Sequence, residues 1–298
     1  MYDKGHIRLT AMLGTYPKTA PLKSGTMRSS GFDFAFGDVN VAQKAFKDVV
    51  RDLKYDVAEI AIVTFLQAFA AGKPYVLLPF VMNGNFHHKS IWRRAADNIT
   101  PADLAGRRVA MRSYSQTTPT WVRGILSDDY GLDVKAVEWL SQEGAHVAEY
   151  KDPPWVHHLD PGKKLEPMLL AGEVDAIIAG SGLSGDPAIV SMVPSPKEAA
   201  LQWYARHHVV PINHMVSVRR ELAEARPDLV KEIYELLRES RRSVEPGPPE
   251  SGIDLQPSGY DVVAPAVEMI TRFAYEQSLI PERYPVEALF GPVLEAVG

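Results

Sequence analysis

The sequence has no cysteine in its 298 residues. Disulfide bonds, thiolate metal ligands and cysteine nucleophiles are therefore excluded. No apolar run approaches the roughly 20 residues that a membrane-spanning helix needs, so we expect no membrane partner. No basic and apolar leader precedes the strand-like run that begins at Ile7, and this favours a cytoplasmic location.

Positive charge is also scarce. The chain carries 32 Lys and Arg against 37 Asp and Glu, which gives a formal net charge of -5. Proteins that bind nucleic acid usually present a broad basic surface, so we expect no nucleic-acid partner. A few convergent arginines could still bind a small anion, because the local field matters more than the total charge. The composition leaves open whether the protein is a homo-oligomer.

Motifs that indicate a nucleotide cofactor or a catalytic nucleophile are missing. The chain has no Walker A loop, no GxGxxG fingerprint, no GxSxG elbow and no HExxH pair. We therefore expect no cofactor. A bound divalent metal is left open, since histidines together with Asp56 or Glu59 could supply ligands without a recognisable spacing.

Strand-like and helix-like patterns alternate along the chain. Residues 32–36 alternate strictly, as in a half-buried strand, and residues 74–80 form the nearly continuous apolar run of a buried parallel strand. Residues 117–130 predict a helix that Gly131 ends. This alternation predicts an α/β fold with helices covering mostly parallel sheets. It does not decide between two consecutive domains and a discontinuous pair.

One polar segment lies at the mouth of a predicted helix. Arg112 ends a strand, Gln116, Thr117 and Thr118 follow it, and Arg123 lies about two turns into the helix. Free backbone N–H groups and the helix dipole favour an anion at such a position. The simpler interpretation is that the hydroxyl residues only cap the helix.

Histidines supply the second set of candidates. His87 and His88 follow the apolar run, and because neighbouring side chains of an extended segment point opposite ways, at most one of them is expected to face a site. His214 lies inside an apolar strand. Each of these histidines could instead be a surface or core residue without a catalytic role.

Short motifs between about residue 7 and about residue 240 resemble, in the same order, the 4,5-dihydroxyphthalate decarboxylase family. They are residues 56–59 (DVAE), 86–91 (FHHKSI), 116–118 (QTT) with 121–126 (WVRGIL), and 210–214 (VPINH) followed by Arg219 and Arg220. The resemblance implies a two-lobed fold similar to type II periplasmic binding proteins, in which each lobe is a mixed, mostly parallel sheet flanked by helices. It selects the discontinuous layout, with residues 1–95 and 208–298 in lobe one, residues 96–207 in lobe two, and a ligand cleft between them.

The resemblance also implies an activity: the non-oxidative decarboxylation of a hydroxylated aromatic dicarboxylic acid, as in the conversion of 4,5-dihydroxyphthalate to protocatechuate, by general acid–base catalysis. Such an enzyme is a carbon–carbon lyase of aromatic compound degradation, and its partner is a small aromatic carboxylate. On this hypothesis His88 and His214 transfer protons, without a decision on which is acid and which is base. Glu59 orients a histidine or accepts a catechol hydroxyl. The residues assigned to substrate binding are Arg112, Gln116, Thr117, Thr118, Arg123, Tyr16 and Ser90.

Two other functions stay open from the sequence. The same fold commonly captures ligands for transporters, so a non-catalytic solute-binding protein for a small aromatic or carboxylate anion is the alternative. A different enzyme on this scaffold, which acts on another aromatic or heteroaromatic acid with a divalent metal, is the third.

Overall fold

The computed structural model describes residues 5–245 and 252–297. Within these ranges the chain forms eleven strands and eleven α-helices. The strands are β1 (Ile7–Met12), β2 (Phe32–Phe36), β3 (Val57–Ala61), β4 (Tyr75–Gly84), β5 (Ile91–Arg94), β6 (Arg108–Met111), β7 (Glu138–Ser141), β8 (Val156–His158), β9 (Ala176–Ile178), β10 (Ile189–Ser191) and β11 (Ile212–Arg219). The helices are α1 (Ala20–Lys23), α2 (Phe46–Val50), α3 (Ile62–Ala70), α4 (Thr117–Tyr130), α5 (Leu165–Leu170), α6 (Pro196–His207), α7 (Arg220–Ala225), α8 (Pro227–Val244), α9 (Tyr260–Glu276), α10 (Val286–Phe290) and α11 (Val293–Val297).

The strands form two mixed sheets. The first has the order β2-β1-β3-β11-β4, with β11 antiparallel to both of its neighbours. The second has the order β10-β5-β9-β6-β7-β8, with β5 antiparallel to its neighbours and the other pairs parallel. The predicted α/β class, with two lobes built on mixed sheets flanked by helices, is confirmed.

The first sheet is discontinuous in sequence, because β11 inserts between β3 and β4 after the whole second sheet has been built. The chain leaves the first sheet after Gly84 and returns to it at Ile212. The strand Ile91–Arg94, which the predicted boundaries place in lobe one, pairs with β9 and β10 of the second sheet. The passage between the sheets therefore lies before Ile91 rather than at residue 95.

Helices cover both faces of the first sheet. One face packs on α8 through a cluster that includes Val218, Leu229 and Ile233. The other face belongs to a larger apolar cluster that continues through α3, α4 and α9. A Cβ on Gly124 of α4 would overlap the ring of Phe273 on α9, so only glycine allows these two helices to approach so closely. This packing joins α4 to α9.

Most predicted elements agree with the structure, and one pairing was wrong. The predicted strand at residues 32–36 and the predicted helix at residues 117–130 have the predicted bounds, and Gly131 ends the helix with a φ of 68°. The apolar run at residues 74–80 is a strand, but β4 is the edge strand of its sheet and pairs antiparallel with β11. It is apolar because helices α8, α9 and α10 cover it. None of the helices in the described ranges is long and apolar enough to cross a membrane.

Candidate functional site

A cleft of about 540 Å³ opens between the two sheets. Its walls are residues at or just beyond strand ends, where ligands of open α/β sheets bind. Ala61 ends β3 and Asn83 lies near the end of β4, while Ile178 ends β9 of the second sheet. The cleft thus receives side chains from both lobes.

His214 and Glu59 are hydrogen-bonded to each other at the base of one wall. Glu59 lies on β3 and His214 on the adjacent antiparallel strand β11, where His214 is opposite Ala61 and Glu59 is opposite Val216. This register makes the two side chains diagonal neighbours on one face of the sheet. Nδ1 of His214 lies 2.7 Å from Oε1 of Glu59. His214 lines the cleft, so its Nε2 is the ring nitrogen left for a ligand.

Glu59 is fully buried and accepts three hydrogen bonds. Besides His214, the backbone N–H of Gly14 donates at 2.9 Å and the hydroxyl of Tyr16 donates at 2.8 Å. Burial by itself would raise the pKa of Glu59, but the hydrogen bonds and the charge of His214 outweigh it and hold the pKa below its ordinary value. The carboxylate stays ionised and can stabilise a positive charge on the neighbouring imidazole.

Tyr16 does not line the cleft, although we had assigned it to substrate binding. Its hydroxyl donates to Glu59, and burial and then the charge of that carboxylate raise the pKa of Tyr16. Tyr16 therefore holds the carboxylate in place. The predicted role of Glu59 in orienting a histidine agrees with this geometry, and its catalytic contribution stays a prediction.

The N-termini of two helices point at the cleft. Helix α4 starts at Thr117 with Gln116 before it, and Gln116 makes no capping hydrogen bond through its side chain. Thr117 instead accepts, through Oγ1, the backbone N–H of Val63 in the first turn of α3 at 3.3 Å. Gln116, Thr117 and Thr118 all line the cleft. Two helix dipoles directed at one cavity favour an anion there.

Arg112 and Ser90 also line the cleft. Ser90 is buried, whereas Arg112 is exposed and pairs with Glu143 at 3.0 Å. The neighbouring carboxylate offsets part of the charge that Arg112 offers an anion. The helix N-termini therefore carry more of the anion-binding potential than any single guanidinium.

Arg123 is not part of the cleft. It is fully buried, and its guanidinium lies 3.8 Å from the ring centre of Tyr114. It donates to Oε1 of Gln277 on the segment after α9 at 2.7 Å and to the carbonyl of Tyr114 at 2.6 Å. The assignment of Arg123 to a carboxylate clamp is corrected accordingly: two turns into α4, the side chain faces the packing between α4 and α9.

His88 also lies outside the cleft. The segment is not extended as predicted, since a 3-10 helix spans His88–Ser90, and of the two histidines only His87 lines the cavity. His88 packs 6.0 Å from the ring of Trp203 on helix α6, a helix that we had not predicted. Burial lowers the pKa of both histidines to about 4. The predicted role of His88 in proton transfer is therefore withdrawn, because its side chain does not line the cleft.

His87 belongs to a hydrogen-bonded chain along the cleft wall. Its Nε2 lies 2.8 Å from Oδ1 of Asn213, and Nδ2 of Asn213 donates to Oγ1 of Thr118 at 3.4 Å. Because the amide nitrogen of Asn213 donates to Thr118, its oxygen accepts a hydrogen bond from Nε2 of His87. In the sequence, His87 and Asn213 lie in the motifs at residues 86–91 and 210–214, each next to a residue assigned to proton transfer.

A third cleft histidine, His146, escaped the sequence interpretation. It lies in the loop after β7, and its Nδ1 is 2.9 Å from Oγ1 of Thr64 on α3. Its ring packs edge-on against Phe46, whose other contact is the ring of His214. No periodicity or motif surrounds His146 in the sequence, so only the fold brings it to the cleft.

The described residues contain no group of three or more His, Asp or Glu side chains placed to hold a metal ion. In the cleft the nearest arrangement is the pair of Glu59 and His214, in which the carboxylate is already satisfied by three donors.

Comparisons with known proteins give sequence relatives and structures of similar fold. No family model matches the chain. This chain is 28% identical over 240 residues to a protein of Comamonas testosteroni named 4,5-dihydroxyphthalate decarboxylase. The match covers 74% of this chain and 71% of the relative. A protein of Pseudomonas putida with the same name is 29% identical over 211 residues, covering 66% of this chain and 81% of the relative.

Among solved structures, a periplasmic sulfonate-binding protein from Methylobacillus flagellatus superposes with a TM-score of 0.62 at 13% identity, covering 98% of this chain and 93% of that one. This likeness shows the fold, and the sequence matches carry the relationship. The chain is therefore a sequence relative of proteins named 4,5-dihydroxyphthalate decarboxylase, built on a fold similar to that of periplasmic binding proteins.

Proposed function

We propose that this protein is a non-oxidative decarboxylase of a hydroxylated aromatic dicarboxylic acid, of the type that converts 4,5-dihydroxyphthalate to protocatechuate. The names of its two relatives support the reaction class. The observation that carries the proposal is the pair of Glu59 and His214, a buried carboxylate behind an imidazole that faces a cleft for anions.

Decarboxylation of an aromatic acid would leave charge on a ring carbon that cannot hold it. A hydroxyl para to the carboxylate relieves this, because its deprotonation pushes electron density to the carbon that bears the carboxylate. That carbon then accepts a proton, CO₂ leaves with the bond broken at the ring, and aromaticity returns. The route needs proton transfer at two positions of the substrate and donors that hold its carboxylates, and the cleft supplies both kinds of group.

The helix N-termini at Thr117 of α4 and Ile62 of α3 suit the carboxylates. Backbone N–H groups at a helix start can donate to a carboxylate without an added cation. Thr118 and Gln116 add side-chain donors. His214 contributes the proton transfer, and Glu59 stabilises the imidazolium that forms when the ring is protonated.

The direct test is to incubate the purified protein with 4,5-dihydroxyphthalate and with phthalate, which lacks the hydroxyls. We expect CO₂ and a change in ring absorbance only from the hydroxylated acid. His214→Gln should reduce turnover by about 10²–10⁴-fold. Gln has a similar length and keeps a polar end, so folding can be compared by circular dichroism. If the variant's turnover stays within about threefold of the parent's instead of falling by that range, His214 is not the proton-transfer residue.

A second function is favoured by the fold. The sulfonate-binding protein from Methylobacillus flagellatus shares the architecture, and a cleft that two helix dipoles face would hold an aromatic or carboxylate anion without any reaction. Isothermal titration calorimetry separates the two functions. Tight binding of hydroxylated benzoates and phthalates with no product identifies a solute-binding protein, whereas CO₂ release identifies the decarboxylase.

The metal-dependent enzyme is tested in the same experiment. Turnover is compared with and without a chelator, and the metal content of the purified protein is measured. Activity that disappears with the chelator and returns with a divalent metal would assign the third function named from the sequence.

A further inference from the structure

Two cleft histidines share one aromatic neighbour but have opposite electrostatic surroundings. The ring of Phe46 lies 5.1 Å from that of His214 and 5.7 Å from that of His146, centre to centre. The contacts are edge-on, with interplanar angles of 89° and 70°. Both imidazoles therefore pack on one phenyl ring, and both line the same cleft.

The partner of each imidazole differs in charge. Behind His214 is the ionised carboxylate of Glu59, whose Oε1 lies 2.7 Å from Nδ1 of the imidazole. Behind His146 is the neutral hydroxyl of Thr64, which can accept from or donate to Nδ1 but brings no charge. When two titratable groups of one site have environments that separate their protonation states, the environments assign acid and base.

Burial and nearby positive charges keep His146 neutral. Burial lowers the pKa of His146 most, and the charges of Lys47, Arg112 and Arg51 lower it further. Glu143 raises it, and the resulting pKa is about 4. At neutral pH the ring therefore has a free lone pair. A bound dianionic substrate places negative charge beside the ring and so increases its affinity for a proton.

The position of His146 is also fixed across the cleft. Nε of Arg51, which ends α2 in the first lobe, donates to the carbonyl of His146 at 2.6 Å, and its Nη2 donates to the carbonyl of Ala145 at 3.1 Å. Thr64 of α3 holds the ring itself. The loop of the second lobe that carries His146 is therefore tied to the first lobe at both backbone and side chain.

We propose that His146 is the general base and His214 the general acid of the decarboxylation, an assignment that rests on the proposed function. His146 takes the proton of the hydroxyl para to the leaving carboxylate, and the electron pair of that O–H bond moves into the ring. The imidazolium of His214 donates its proton to the ring carbon that bears the carboxylate. The C–C bond then breaks, its electron pair restores the aromatic ring, and CO₂ leaves. The phenolate recovers the proton from His146, and solvent returns one proton to His214.

The test uses the pH dependence of kcat for 4,5-dihydroxyphthalate in His146→Gln and His214→Gln. At neutral pH we expect His146→Gln to lower kcat by about 10²–10⁴-fold. Because solvent deprotonates the phenol as the pH rises toward its pKa, about 10 for a simple phenol, kcat of this variant should recover about tenfold for each pH unit. His214→Gln should show no such recovery, since its missing proton donor is not replaced by hydroxide.

A matched control distinguishes base catalysis from loss of a cleft residue. His87→Gln removes another cleft histidine with a low pKa, and it should show no recovery with pH, whatever its activity. If His146→Gln keeps the parent kcat, or if all three variants respond alike to pH, the acid and base assignment is wrong. If the parent itself releases no CO₂, the proposed function fails first, so the two failures are told apart.

Discussion

The buried carboxylate Glu59 gives the sharpest prediction, through the change Glu59→Gln. The change keeps the shape of the side chain and removes its charge. In the parent, Oε1 accepts from Tyr16 and from His214, and Oε2 accepts from Gly14. A glutamine amide has only one oxygen, so its NH₂ group must face one of these donors. The variant therefore loses both the charge behind the imidazole and one hydrogen bond.

The effect on catalysis follows from the hydrogen bond to His214. A hydrogen bond to a charged group contributes about 1.5–3 kcal/mol, and each 1.4 kcal/mol is tenfold in rate, so kcat should fall roughly 10- to 100-fold. Glu59 does not line the cleft, so it makes no contact with substrate. Removing a negative charge beneath the site of a dianion should leave KM unchanged or lower it. Steady-state kinetics of the parent and variant measure both quantities.

The effect on stability depends on pH. One unsatisfied buried polar group costs about 1–3 kcal/mol of the free energy of unfolding at neutral pH. Because the pKa of Glu59 is below its ordinary value of 4.5 in the folded protein, the carboxylate stabilises the fold above that pH and loses this effect as the pH falls through the folded value. The gap between parent and Glu59→Gln should therefore narrow below about pH 4.5. Urea denaturation at several pH values measures the gap.

Glu138→Gln is the matched control, because it neutralises an exposed carboxylate on β7 of the second sheet. It should leave kcat and the free energy of unfolding nearly unchanged, within about 0.5 kcal/mol. A Glu59→Gln variant with the kcat of the parent, or one whose KM rises while kcat stays constant, would refute the idea that this carboxylate supports an imidazolium.

The remaining predictions concern residues outside the cleft. Arg123→Met leaves buried acceptors without a donor, so the free energy of unfolding in urea denaturation should fall by about 3 kcal/mol or more. Calorimetry should find the same substrate affinity, and weaker binding by a folded variant would return Arg123 to the site. Gly124→Ala drives a Cβ into the ring of Phe273, so the free energy of unfolding should fall by about 1–3 kcal/mol. An unchanged denaturation midpoint would mean that α4 and α9 pack less closely than the structure shows. In the parent, burial holds the pKa of His88 near 4, so the unfolded chain takes up protons first and stability falls as the pH drops from about 6.5. His88→Phe should reduce that fall, to which His87 and His146 also contribute through their low pKa, and should keep turnover; a large loss of kcat would restore His88 as a catalytic candidate.

The sequence predicted strand and helix positions well where apolar residues follow one period. The strict alternation at residues 32–36 and the capped pattern from Thr117 to Gly131 depend on contacts close in sequence, so they could be recognised directly. Helix α6, Pro196–His207, was missed because its exposed face is long and only Ala200 and Trp203 are buried on it. His88, which the family resemblance suggested as a proton-transfer residue, packs against this helix.

The candidate site was predicted in part. His214 and Gln116–Thr118 reach the cleft because strand ends and helix starts gather at one edge of each sheet, a rule that the sequence order already implies. Arg123 has the right charge and lies only two turns into α4, yet its direction depends on α9, whose residues are about 150 positions away in the chain. The sequence does not show which way such a side chain points, because its direction depends on the helix that packs against it.

The amino-acid sequence by itself determined the α/β class, the lack of thiol chemistry and the start of the helix at Thr117 that borders the cleft, because each depends on composition or on local period. The relationship to proteins named 4,5-dihydroxyphthalate decarboxylase could also be recognised from short motifs in the sequence. Only the tertiary structure decided that His87 rather than His88 faces the cleft, that Glu59 lies behind His214, and that His146 joins them. These facts depend on the strand register between β3 and β11 and on loops from the other lobe, and such long-range pairings leave no periodic trace in the chain.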